Sequence, residues 1–99
     1  MNIFALQGDQ KIIKLDTPIT GKLEKATNLV IAGSTSGSPH TIRGTVETRM
    51  EGDRRLVAVR RATTIDHKDR HNPTKLPKGD YLIEPQRERG GAGDRAVMD

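Results

Sequence analysis

The stretch Thr41-Ile42-Arg43-Gly44-Thr45-Val46-Glu47-Thr48-Arg49-Met50 alternates with a period of two. Ile42, Val46 and Met50 fall on one face, with Gly44 and Thr48 between them, while Thr41, Arg43, Thr45, Glu47 and Arg49 fall on the other. Successive strand side chains point to opposite faces, so this pattern predicts a half-buried strand. Glu51-Gly52-Asp53-Arg54 supplies turn chemistry, and Arg55-Leu56-Val57-Ala58-Val59-Arg60 returns as a second strand. This hairpin sets the fold class as β.

The same short-strand grammar extends to both sides. Asn2 to Leu6 and Gln10 to Leu15 read as strands around a Gly8-Asp9 turn. Thr17-Pro18 and Gly21 break any long element, Lys22 to Ala26 suits a single helical turn, and Asn28 to Ala32 suits a buried strand. Gly33 to Pro39 is a small-residue loop joining two strands. Leu76-Pro77-Lys78-Gly79 is a turn, and Asp80 to Glu84 is a strand that Pro85 ends or places at an edge. Long helical periodicity is missing. The expected fold is therefore all-β, a small single-domain barrel or curled sandwich of about six to eight short strands. Residues 1–89 make up this domain, and 90–99, with three glycines, is expected to be a flexible C-terminal tail.

Composition narrows what such a domain does. In 99 residues only 32% are apolar, and the aromatics reduce to Phe4 and Tyr81, both expected in the core. A core this small is a modest platform for an enzyme, which generally needs a deep, water-excluding pocket, so a non-enzymatic role is favoured. Homo-oligomerisation would relieve the shortage of core. Cysteine is absent, which removes disulfides, thiolate nucleophiles and cysteine-ligated zinc, and points to a reducing, cytoplasmic setting. The N-terminal apolar run is too short for a signal peptide, and no window approaches a membrane span, so no membrane partner is expected.

The formal charge is +4, and all ten arginines lie at or after Arg43. Arginine favours bidentate contact with phosphate or carboxylate. Arg43 and Arg49 on the polar strand face, with Arg54, Arg55, Arg60 and Arg61 around the hairpin, are therefore the candidate site for an anionic partner. Nucleic acid and an acidic protein surface are both allowed, although the chain supplies few aromatic platforms for base stacking.

Histidine offers a second reading. The chain holds His40, His67 and His71. If Asp66 caps a helical turn, the four-residue spacing sets His67 and His71 on one face, and His40 would complete a three-histidine site for a divalent metal such as zinc. Against this, Lys68 and Arg70 raise the cost of a nearby dication. Ser34, Ser36 and Ser38 lie near His40 but show neither a nucleophile elbow nor a phosphate-loop ending. A third reading is a structural or assembly subunit of a phage or bacterial complex, joined through strand edges.

Ile31 to His40, then His67 to His71, then Leu76-Pro77-Lys78-Gly79-Asp80-Tyr81 leading to Gln86-Arg87-Glu88, resembles a group of short uncharacterised bacterial or phage proteins. These share a glycine-bearing loop ending in histidine, paired histidines, and a Leu-Pro-x-Gly-x-Tyr strand closing in Gln-Arg-Glu. Ser38 stands where that group carries its first histidine. The resemblance implies a β fold and carries no activity.

Overall fold

A computed structural model describes residues 2–7, 10–31, 39–67, 73–85, 87–90 and 93–96. Eight strands form one antiparallel sheet, nearly closed into a barrel. They are β1 (Asn2–Gln7), β2 (Gln10–Lys14), β3 (Glu24–Ile31), β4 (His40–Glu51), β5 (Arg54–Val59), β6 (Thr63–His67), β7 (Thr74–Leu76) and β8 (Gly79–Pro85). The order runs β1-β2-β8-β5-β4-β6-β7, with β3 on the other side of β4. β9 (Arg87–Gly90) and β10 (Gly93–Ala96) pair in a second, two-stranded sheet, where the sequence suggests a tail.

The twelve-residue β4 is the hub. One edge pairs with β3 along its length. The other pairs with β5 through Glu47–Glu51 and with β6 through His40–Ile42. Strand pairing is largely sequential because hairpin turns connect neighbours, and antiparallel strands need only short links.

The alternation read from the sequence sorts side chains into two layers. Inside the curled sheet, Ile12, Ile31, Ile42, Val46, Val57, Val59, Ile65, Leu76, Tyr81 and Ile83 form the main core, with Ala5 and Leu29 against it. The Tyr81 hydroxyl donates to the Pro77 carbonyl at 2.6 Å, which satisfies its polar end. Burial raises its pKa, because a phenolate there would lose its hydration.

On the outer face Ile13, Leu82 and Leu56 lie side by side in register across β2, β8 and β5. Apolar residues on both faces of these strands require a second cover. The segment from Leu15 to Leu23 supplies it, with Leu15 and Ile19 packing onto that row. The Leu15 amide donates to the Asp80 carbonyl at 2.8 Å, and the Ile19 amide to Asp80 Oδ2 at 2.7 Å. Arg49 Nη1 donates to the Thr20 carbonyl. We call this segment the strap.

Three local expectations change. Lys22 to Ala26 is no helical turn, because Glu24 already opens β3 and pairs with Thr48. Residues 28–31 are not a wholly buried run. Val30 is on the outer face and exposed, and only Ile31 is buried. Asp66 caps no helix, since it lies inside β6 opposite Thr41. Phe4 sits at the margin of the core, 37% exposed, with its ring edge-on to Tyr81 at 5.5 Å. Gly8-Asp9, residues 32–38, His71 with its neighbours 68–72, and Gln86 lie outside the described residues.

If the strap is a true second cover, the outer row contributes like core. Leu56→Ala should lower stability by about 2 kcal/mol or more in urea unfolding. Val30→Ala should stay within about 0.5 kcal/mol. Equal losses at the two positions would contradict the two-layer arrangement.

Candidate anion-binding cleft

The cleft begins with a flaw in β4. Between the pairs Ile42↔Ile65 and Glu47↔Ala58, residues 43–46 of β4 face residues 59–64 of the neighbouring chain segment. The partner therefore carries two extra residues, and Arg60-Arg61-Ala62 lie between β5 and β6, outside the strands. On the opposite edge β3 shifts register between Thr27 and Leu29. Asn28 there adopts φ 52°, and its Oδ1 accepts the Gly44 amide at 3.1 Å. Asparagine is among the side chains that tolerate this left-handed region.

Gly44 itself has φ +73°. The inward alternation stops at that point, so Arg43, Gly44 and Thr45 are all exposed, in contrast to the sequence pattern that put Gly44 on the buried face. Both edges of the hub strand are thus irregular at one place, and bulges of this kind re-aim side chains.

The result is a cavity of about 370 Å³ lined by Arg43, Gly44, Thr45, Arg60, Arg61, Ala62 and Thr63. Thr63 Oγ1 donates to the Arg43 carbonyl at 2.6 Å, tying the wall to the floor. Arg43 Nε donates to Asp66 Oδ2 at 2.5 Å. Arg60 reaches Glu47 through Nε at 3.3 Å and Nη2 at 3.4 Å. The hydrogen bond to Glu47, followed by its charge, raises the Arg60 pKa above the ordinary guanidinium value, so Arg60 stays cationic. Among the described residues Arg61 has no ion-pair partner. Three guanidiniums line the cleft; Asp66 and Glu47 pair with Arg43 and Arg60, and the charge of Asp80 also acts on Arg60.

Three of the six arginines read from the sequence, Arg43, Arg60 and Arg61, therefore meet in one concavity, and the other three do not. Arg49 clamps the strap and pairs with Glu51 at 2.9 Å. Arg54 pairs with Glu84 at 3.3 Å, which also holds Lys11 at 3.1 Å. Arg55 is half-buried, and its Nη1 donates to Thr48 Oγ1 at 3.3 Å. Burial lowers its pKa, though a guanidinium remains charged at any ordinary pH.

Of the candidate metal ligands, His40 and His67 come together. They are register partners on the inner face, 0% and 3% exposed, with ring centroids 4.3 Å apart and planes within 5° of parallel. Imidazole binds a metal through a lone pair in the ring plane. Parallel rings 4.3 Å apart hold their lone pairs in separate parallel planes, so one ion lies in the plane of both only after a ring turns. Among the described residues no group of three His, Cys, Asp or Glu could hold a metal ion.

Reading the sequence missed the partner carboxylates Glu47 and Asp66 and the role of Gly44. The available signal was a glycine at an inward position of an otherwise regular strand, facing an Arg-Arg-Ala step in its partner.

Gly44 tests the geometry. A Cβ there would meet only Thr63 Oγ1 at 3.8 Å, so space is not limiting and the backbone angle is. Gly44→Ala should cost about 1–2 kcal/mol in thermal or urea unfolding. Gly44→Asn should cost distinctly less, because asparagine tolerates positive φ. Equal costs would show that the left-handed backbone is not the constraint.

No curated protein and no solved structure matches the chain. The family model for the domain of unknown function DUF8820 matches residues 6–86, from the end of β1 to just past β8. That span takes in the hub strand, the strap and the cleft, and the chain belongs to the DUF8820 family.

Proposed function

We propose that this domain is a small non-enzymatic binding or accessory module that takes an anionic partner in the cleft of Arg43, Arg60 and Arg61. The observation that carries the reading is the convergence of Arg43 with the adjacent pair Arg60-Arg61, from two separate stretches of the sequence, on one concavity whose described lining includes no carboxylate. Among the described residues the cleft holds no nucleophile with a base and no pair of acids free for proton transfer, because Glu47 and Asp66 are engaged by arginines. Its chemistry is recognition.

Retention on a heparin column, a generic polyanion, tests this. Arg61→Glu should weaken affinity by about tenfold and shift elution to lower salt. Arg54→Glu makes the same change of charge outside the cleft and should shift elution much less. Equal shifts would show that net charge alone governs binding, and the cleft would lose its claim.

A second reading, an assembly subunit, rests on a separate observation. In the edge strand β1, Ile3 and Leu6 are 60% and 57% exposed, and the strand Asn2–Gln7 carries no charge or proline to discourage pairing. Sedimentation equilibrium tests it. Self-association that Ile3→Lys with Leu6→Lys abolishes would support this role, and a monomer at every accessible concentration would remove it.

A further inference from the structure

We infer that the anion taken by the cleft is the phosphodiester backbone of a nucleic acid, bound without reading the bases. This inference rests on the anion-binding reading above and narrows it. Two properties of the lining select the phosphodiester over an acidic protein surface, and a third removes base specificity.

The first is the lack of an apolar anchor. Protein partners bind through aromatic or aliphatic side chains seated in desolvated pockets, with charges at the rim. Among the described residues the only aliphatic residue lining this cleft is Ala62; the other apolar surface is arginine methylene and threonine methyl, beside guanidinium, hydroxyl and backbone. Affinity here must be mainly electrostatic, which is how proteins hold the nucleic-acid backbone.

The second is the state of the arginines. Arg43 and Arg60 already hold carboxylates, those of Asp66 and Glu47. An acidic peptide would bring the same group it had to displace, and the exchange would gain little. A phosphodiester chain brings closely spaced charges in series. One phosphate meets Arg61, which has no ion-pair partner to displace among the described residues. The next then competes for Arg60, whose contacts to Glu47 at 3.3 and 3.4 Å are long for a charged pair. Thr45 adds a hydroxyl, shared with Thr27 at 2.9 Å, while the Thr63 proton is already given to the Arg43 carbonyl. At about 370 Å³ the cleft has the volume of about twelve water molecules, enough for a phosphate with part of its sugar.

The third is the lack of a stacking surface. Among the described residues no aromatic ring lines the cleft, so bases find no platform and no ring to sort them there. Phosphate contacts fix position and carry no sequence information directly.

Fluorescence anisotropy tests this, using labelled oligonucleotides of about twenty nucleotides, single- and double-stranded and of unrelated sequence. Polyglutamate of matched charge is the comparison, with inorganic phosphate as a competitor. The oligonucleotides should bind at least about tenfold more tightly than polyglutamate, with affinities within about threefold across sequences. Two phosphate contacts, at Arg61 and Arg60, predict log–log salt slopes of about −1.4 for single strands and about −1.8 for duplex. Arg61→Ala should reduce the slope by about one contact, and Arg61→Lys should preserve it. Arg61 is exposed, so both variants should melt as the wild type does. Polyglutamate binding as tightly as the oligonucleotides would overturn the inference while leaving the anion-binding cleft in place. Strong preference among sequences would overturn it as well. Saturation by inorganic phosphate alone, with no gain from the polymer, would reassign the cleft to a small phosphorylated ligand. If none of these anions bound, the inference and the cleft reading would fall together.

Discussion

The left-handed backbone at Gly44 is the constraint that the rest of the molecule shares. At φ +73° the hub strand bulges, and Asn28 on the neighbouring strand bulges with it to hold the Gly44 amide. The bulge absorbs the curvature needed to bring eight strands almost around a barrel, since a regular ladder resists bending. The same distortion separates β4 from the Arg60-Arg61-Ala62 step and opens the cleft. Fold and candidate site therefore have one origin, and a change that straightened β4 would close the cavity while it unbent the sheet.

Around that point the protein uses its few apolar residues economically. The chain is 32% apolar, yet strands β2, β5 and β8 bury residues on both faces. The strap makes this workable by covering the outer row of Ile13, Leu82 and Leu56 with Leu15 and Ile19. It is fastened by polar groups, Asp80 at Leu15 and Ile19 and Arg49 at Thr20. Arg49 thus serves packing, whereas Arg43 sits a few residues away on the same face of β4 and serves the cleft. Residues of identical chemistry on one strand face are divided by what lies over them.

That division marks what was legible in the sequence. The strand class and the hairpin were open to reading because the alternation of Ile42, Val46 and Thr48 against Thr45, Glu47 and Arg49 is a local property of the pleat. The long barrel-forming pairs, such as Ile13 with Leu82 or Gln10 with Pro85, carry no local signal, because they depend on how distant strands add. The start of β3 departs from expectation for a related reason, while its end matches the strand expected from Asn28 onward. Lys22 to Ala26 has helical composition, but pairing with β4 outweighs a weak propensity. The six arginines were identifiable as candidates by residue type alone. Selecting Arg43, Arg60 and Arg61 from Arg49, Arg54 and Arg55 required the register jump opposite Gly44, which no periodicity reveals. His40 and His67 were singled out for rarity, and their meeting follows from a β4–β6 pairing twenty-seven positions apart in sequence.

The central claim is that the bulge at Gly44 and the arginine step opposite it form one anion-binding surface. A titration of isotopically labelled protein with an oligonucleotide, followed by amide chemical shifts, tests it most directly. The account predicts saturable shifts concentrated at Arg43, Gly44, Thr45 and Arg60 to Thr63, with those of β1 and of the strap unmoved. Shifts concentrated instead along β1, or at His40 and His67, with the cleft amides unchanged, would contradict it.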